Sequence, residues 1–427
     1  MWSSIQKSWP IWFIDATGGV LKRISGQKKV LLYSIVMHDK LHEFICPMAD
    51  FLTTGHDGKT ISSYLQIIKD ATEKYISKRC FQYAPIIVTD FSWALINAVI
   101  KTFNNTTFEA YINWCTNILI KKEIFKINFM TTTIYLCYSH FIKMISKKVL
   151  KVKKYSYKSN QKKLHRVALY SCAILQRSND MEDFSKNIRH CFNIFNTKYE
   201  SKDTIASLKS IKENVFNNAL NRETELNNII NEKQQIKPSK KLIFIDNSYH
   251  KSYRDSSPFL DYFLKIIKHH KTNTNRKNKL KSSFKINSYY CPKIFKILFH
   301  YIHLMPLWSK VLLNIKTNYF NIDIKNLTNN PVENWFDQLK ESLASFLPVM
   351  PSQFANFMYN EIEARYEMHP EFQNINLKSY KDYEKESKEK WAKFRNDSKW
   401  REKGFYSKLK PNYDPFDSNF LSESMIF

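Results

Sequence analysis

At 427 residues the chain exceeds the usual size of one compact core, so two or three domains, or one domain with a large insertion, are expected. Lys and Arg outnumber Asp and Glu 66 to 39, a net charge of +27 that favours a polyanionic partner, nucleic acid first, because neutralising phosphates releases counterions. Part of that charge is compositional, since a chain rich in Lys, Asn, Ile, Phe and Tyr with only 6 Gly is what AT-rich codons produce. Seven widely spaced cysteines, odd in number and without a CxxC pair, suggest neither a disulfide framework nor a four-Cys zinc site, and no apolar stretch reaches the roughly 20 residues of a membrane span. A soluble protein of a reducing, intracellular compartment is expected.

Residues 11 to 58 read as strands, IWFID, GVLKRI, KVLLYSIVMHD and FICPMADFL, separated by Gly18-Gly19, Ser25-Gly26 and the GHDG turn at 55 to 58. From Thr60 the spacing of Ile61, Tyr64, Leu65, Ile68, Ala71 and Tyr75 predicts a helix. It leads into the apolar strand PIIVTD, and Ser92 is placed to cap a second helix over SWALINAVIKTF. TTIYLCYSHFIKMISKKVL repeats the pattern, strand to about Tyr138 and then helix.

A strand meander followed by alternating helices and strands is the succession of an α/β fold with an RNase H-like mixed sheet. The expected division is 1–150 for the first part of that core, 151–325 for a large, mostly helical insertion, 326–350 for a final core helix, and 351–427 for a helical or irregular tail. The insertion contains helical stretches at VALYSCAIL, MEDFSKNIRHCFNIF, LDYFLKIIKHH and KIFKILFHYIHLM, and a lone strand KLIFIDNSYH ending at Asp246. Segments 231 to 241 and 268 to 283 are too polar to pack and read as loops or basic tracts. A further helix is expected around FANFMYNEIEARYEM.

Asp15 and Asp90 end short apolar runs, and Glu333 opens an amphipathic stretch, so a fold that brings the three together creates a site for two metal ions able to cut a phosphodiester. Each also has a purely structural reading. Asp15 suits a Gly-Gly turn and Asp90 precedes a helix. In Asn330-Pro331-Val332-Glu333, Asn is placed as cap, Pro at the first helical position and Glu to close a capping box, with Val332, Trp335, Phe336, Leu339 and Leu343 buried on one helix face. Rivals for the third ligand are Asp246, Asp337 and Glu341. Cys137 and His140 have the spacing of half a zinc site, but no further ligand lies near them in sequence, so packing for Cys137 and hydrogen bonding for His140 are the favoured reading. His38, Asp39, His56 and Asp57 are loop residues at the same edge. Lys147, Lys148, Lys151, Lys153 and Lys154, and Lys277, Lys279 and Lys281, are either phosphate-gripping clusters or solvated surface.

IDATGGV with Asp15, TDFSWALINAVIKTF with Asp90, YLCYSHF with Cys137 and His140, and NNPVENWFDQLK with Glu333 together resemble, in order and context, the DDE transposases of cut-and-paste DNA transposons, most closely the Mutator-like group. The resemblance covers roughly residues 9 to 150 and 325 to 345. It implies an RNase H-like core in which Asp15, Asp90 and Glu333 hold two Mg²⁺ or Mn²⁺ ions, cut transposon ends in double-stranded DNA and join them to target DNA. It also implies a nuclear protein that is a homo-oligomer when active, with Cys137 and His140 shaping the site. The family's DNA-binding module ahead of the core and the zinc motif after it have no counterpart here, so the chain is expected to be a truncated or domesticated copy. The alternative is a catalytically inactive, transposon-derived DNA-binding protein, and a third reading is an RNase H-like enzyme acting on RNA or hybrids.

Overall fold

A computed structural model describes residues 9–23, 25–75, 84–123, 131–154, 158–216, 253–278, 285–320, 327–343 and 348–367. Five strands form one mixed sheet: β1 (Ile11–Gly18), β2 (Leu31–Asp39), β3 (Phe44–Thr53), β4 (Ile86–Thr89) and β5 (Thr133–Leu136), in the order β3-β2-β1-β4-β5. The first three pair antiparallel as a meander, while β4 runs parallel to β1 and β5 parallel to β4. Parallel pairing needs a crossover, and the helices between those strands supply it.

The period-2 alternation of β1 sorts its side chains onto two cores. Trp12 and Ile14 pack with one cluster, whereas Trp9, Ile11 and Phe13 pack with the other. Both faces are therefore buried, which accounts for the unbroken apolar runs in β1, β2 and β4.

The larger core holds α1 (Gly58–Tyr75), α2 (Trp93–Asn104), α3 (Phe108–Leu119) and α4 (Tyr138–Val149). It continues without interruption into α5 (Lys158–Arg177), α6 (Met181–Asn196), α7 (Lys202–Phe216), α8 (Pro258–Asn278), α9 (Pro292–Phe299), α10 (Met305–Trp308) and α11 (Lys310–Tyr319). Phe141 of α4 stacks on Trp308 of α10 with centroids 4.7 Å apart, so the expected helical insertion shares one apolar core with the sheet. On the opposite face lie α12 (Asn330–Ser342) and α13 (Pro351–Glu367). The predicted stripe Val332, Trp335, Phe336, Leu339 and Leu343 is buried there against β1, β2 and β3. The α13 helix covers the exposed edge of β3, where Arg365 donates to the Ile45 carbonyl at 3.1 Å and sets its guanidinium 4.9 Å from the Trp335 ring.

Several expectations need correction. GVLKRI is not a strand of the sheet: Gly19 turns the chain at φ 90°, and Leu21 instead forms an isolated bridge to Val349, with Lys22 N donating to Val349 O at 2.8 Å. The polar segment from 268 is helical as far as Asn278, because buried Phe259 and Phe263 anchor α8 and His270 reaches Asn193 Oδ1 at 2.7 Å. KIFKILFHYIHLM does not form one helix: α9 stops at Phe299, and a 3₁₀ turn (Ile302–Leu304) leads into α10. Asp246, the KLIFIDNSYH strand, the 231 to 241 segment, Lys279, Lys281, the side chain of Lys277 and the tail beyond 367 lie outside the described residues. Among the described residues no helix is long and apolar enough to cross a membrane.

Candidate functional site

A row of polar side chains crosses the sheet beneath the first turn of α12. Register places Asp50 opposite Ser34 and Ser34 opposite Asp15. In the parallel half, Ile14 pairs with Thr89 and Thr89 with Leu136, so the next residue along each strand brings Asp15, Asp90 and Cys137 side by side. Because side chains alternate, all five belong to the face covered by α12, with Asp90 just past the carboxyl end of β4 and Asp15 inside β1, which runs on to Gly18 rather than ending at Asp15 as its apolar run suggests.

Asp90 follows β4 directly and precedes Ser92, whose Oγ caps α2 by accepting from Leu95 N at 3.4 Å. The cap is thus Ser92, as expected, and the Asp90 carboxylate is left for other contacts. His140, in the first turn of α4, lies with Nδ1 2.5 Å from Asp90 Oδ1 and Nε2 3.2 Å from Glu333 Oε1. One imidazole therefore joins carboxylates contributed by residues far apart in the chain. Burial alone lowers the His140 pKa, but hydrogen bonding to Asp90 and Cys137, with their charges, outweighs it and raises the value to about 10.

Glu333 reaches this position because α12 begins differently from the capping-box expectation. The N-cap is Asn329 rather than Asn330, with no side-chain capping bond. The Asn329 amide instead donates to Ile14 O at 3.4 Å and to Asp90 Oδ1 at 3.3 Å, while its backbone N–H donates to Cys137 Sγ at 3.2 Å. Both side-chain partners are acceptors, which fixes the amide nitrogen toward them. Tyr138 N donates to Leu327 O at 3.1 Å, tying the start of α4 to the segment that leads into α12. Of the rival acids on this helix, Asp337 is largely exposed and paired with Lys340 at 3.9 Å, and Glu341 is exposed.

Asp15 Oδ1 accepts from Ala16 N at 2.7 Å, and its charge, after burial, helps push the Tyr33 hydroxyl up to about 12. Asp50 accepts from Ser34 Oγ and, at 3.4 Å, from Trp335 Nε1, while its Oδ2 is buried without a hydrogen-bond partner among the described residues. Burial raises its pKa to about 6 against these two hydrogen bonds. Asp90, Cys137 and His140 form a group whose donor atoms all lie within 4.8 Å of one another.

Other singled-out residues have local duties. Asp57 caps α1 by accepting from Thr60 N at 2.9 Å, buried Asp39 pairs with His42 Nδ1 at 2.6 Å, and His56 Nε2 lies 3.1 Å from Lys29 O. Burial lowers the His38 pKa. Lys148 contacts the Tyr301 hydroxyl and Lys154 donates to Ser288 O at 2.9 Å, whereas Lys147, Lys151 and Lys153 are exposed. Asn329, Ser34 and Asp50 escaped sequence reasoning, and Trp335, expected only as a buried helix-face residue, also donates to Asp50. Only strand register could have revealed Ser34 and Asp50, and no local signal marks Asn329.

No family model matches the sequence. The chain is similar to the "120.7 kDa protein in NOF-FB transposable element" of Drosophila melanogaster, at 33% identity over 140 residues. That stretch is 32% of this chain and 12% of the Drosophila protein, so the chain spans about an eighth of that relative.

Proposed function

We propose that this chain carries a DDE-type, RNase H-like core of transposon origin, a metal-dependent DNA nuclease and strand transferase. The observation that carries the reading is the joining of Asp90 and Glu333 through His140, with Asp15 next to Asp90 on the same sheet face. The mixed strand order and the similarity to a transposable-element protein support it. The Mutator-like grouping rests on the motifs.

The donor set fits a pair of Mg²⁺ or Mn²⁺ ions. Asp15, Asp90 and Glu333 are partly exposed carboxylates, the oxygen ligands hard cations take alongside water, and the His140 imidazole balances only part of their charge. Such ions, when bound, would stabilise the charge developing on phosphate oxygens during in-line displacement. The chain's own part is to hold the oxygens still. Neighbouring parallel strands fix Asp15 and Asp90, the Asn329 amide directs Asp90 Oδ1, and His140 keeps Glu333 at the site before any ion arrives. The partner is double-stranded DNA, transposon ends and target, with Lys147, Lys151 and Lys153 as phosphate contacts and a homo-oligomer acting in the nucleus.

The test is incubation of the full chain with plasmid and short duplex DNA in Mn²⁺ or Mg²⁺. Cleavage or joining that disappears in Asp90→Asn and in chelator supports the reading. Salt-sensitive binding without cleavage in either metal would make the chain a DNA-binding remnant instead, and cleavage confined to RNA–DNA hybrids would redirect the substrate class.

A further inference from the structure

Cys137 supplies nothing that a hard-cation site requires, yet its sulfur belongs to the same cluster as Asp90 and His140. In sequence the Cys-x-x-His spacing is half a zinc site lacking its other ligands. The fold supplies a third donor, Asp90, from the residue that follows β4. The group thus draws on the end of β4, the end of β5 and the first turn of α4, while Glu333 meets the ring at its other nitrogen, Nε2, at 3.2 Å and lies outside the group. The sulfur is also prepared, since the Asn329 backbone N–H donates to it at 3.2 Å and Ser139 Oγ lies 3.2 Å away, contacts of the kind that hold a ligating thiolate in place.

A sulfur, an imidazole nitrogen and a carboxylate oxygen make a three-donor set suited to a tetrahedral, borderline-soft ion with water in its fourth position and poorly suited to Mg²⁺. We propose that Asp90, Cys137 and His140 form a binding site for a single thiophilic divalent cation of the zinc class. One of its ligands, Asp90, is a carboxylate assigned above to the hard-cation pair, so occupancy by one kind of ion excludes the other. The binding site itself rests on the cluster geometry alone, and only this mutual exclusion rests on the DNA-cleaving reading.

The test uses the metal-free full chain titrated with Co²⁺, which reports tetrahedral coordination in its visible bands and sulfur ligation in its thiolate charge-transfer band. One equivalent is expected to produce both, with Zn²⁺ displacing Co²⁺ and millimolar Mg²⁺ failing to do so. Cys137→Ser should abolish the charge-transfer band and weaken Zn²⁺ binding by about 100-fold or more. Asp90→Asn, at a partly exposed position, should weaken it while keeping the sulfur band, and Cys46→Ser, at a buried thiol of β3, should change nothing. A band that survives in Cys137→Ser, or no Zn²⁺ binding below millimolar concentration, would overturn the proposal. Failure of the nuclease reading leaves the Co²⁺ titration fully informative. If DNA is cleaved in Mn²⁺, one equivalent of Zn²⁺ should block it in the parent, and continued cleavage by the Zn²⁺-loaded protein would overturn the exclusion.

Discussion

Replacing His140 with Gln removes the imidazole that joins Asp90 to Glu333 and leaves a neutral amide of similar reach. Folding raises the His140 pKa to about 10 from its ordinary 6.5, despite burial acting the other way. That gap of about 3.5, at 1.36 kcal/mol for each unit of pKa, corresponds to about 5 kcal/mol. The sign follows from linkage: a pKa raised by folding contributes stability that is fully present below about pH 6.5, declines as pH rises and is gone above about pH 10. Lys316 works in the opposite direction over nearly the same interval. Burial lowers its pKa from 10.5 to about 7, so its cost is fully present below pH 7 and relieved as pH rises toward 10.5. The parent's own pH profile is therefore flattened, and the difference between parent and His140→Gln isolates the imidazole. Urea unfolding followed by tryptophan fluorescence, in chelator at pH 6, 8 and 10, should give a difference of about 3–5 kcal/mol at pH 6 that shrinks to within about 1 kcal/mol at pH 10. A difference independent of pH would refute the ion-paired bridge.

Asp50 provides a second pH signature, because burial raises its pKa to about 6 from an ordinary 3.8. Its contribution is fully present below about pH 4 and lost as pH rises through 6, so the parent should lose about 2–3 kcal/mol relative to Asp50→Asn between pH 4 and 7, read by urea unfolding at each pH. Leu339→Ala, which opens a cavity between α12 and the sheet where Leu339 is 1% exposed, should cost about 2–5 kcal/mol in the same assay. Lys147, Lys151 and Lys153 changed together to Ala should weaken DNA binding and reduce the slope of log K against log salt by about 3, since each phosphate contact carries about 0.9. An unchanged slope in a fluorescence-anisotropy titration would assign these lysines to solvated surface.

Much of this architecture is written in local pattern. Apolar runs bounded by turn residues predict β1, β2 and β3, the compact run IIVT predicts β4, and helical spacing predicts α1 and the buried stripe of α12. Asp15 and Asp90 could be singled out because each ends an apolar run, although β1 continues past Asp15 to Gly18 and only Asp90 stands at a strand end. What local pattern could not carry was set by pairing between distant segments. GVLKRI has the composition of a strand, yet Val349 meets it in an isolated bridge outside the sheet. Asn330 reads as the helix cap, but the cap is Asn329, whose amide is claimed by the Ile14 carbonyl of β1 and the Asp90 carboxylate just after β4. The same absence of long-range information left Cys137 and His140 as packing and hydrogen-bonding residues, when Asp90 lies within 4.8 Å of both and Glu333 meets His140 across 3.2 Å.

The central claim, that Asp15, Asp90 and Glu333 share hard divalent cations, is tested most directly by Mn²⁺ binding measured by electron paramagnetic resonance on the full chain with duplex DNA present. Two bound Mn²⁺ ions are expected in the parent, with loss of at least one in each of Asp15→Asn, Asp90→Asn and Glu333→Gln. Parent-like binding in the Glu333→Gln or Asp15→Asn protein would contradict it, leaving the polar row across the sheet as a structural network.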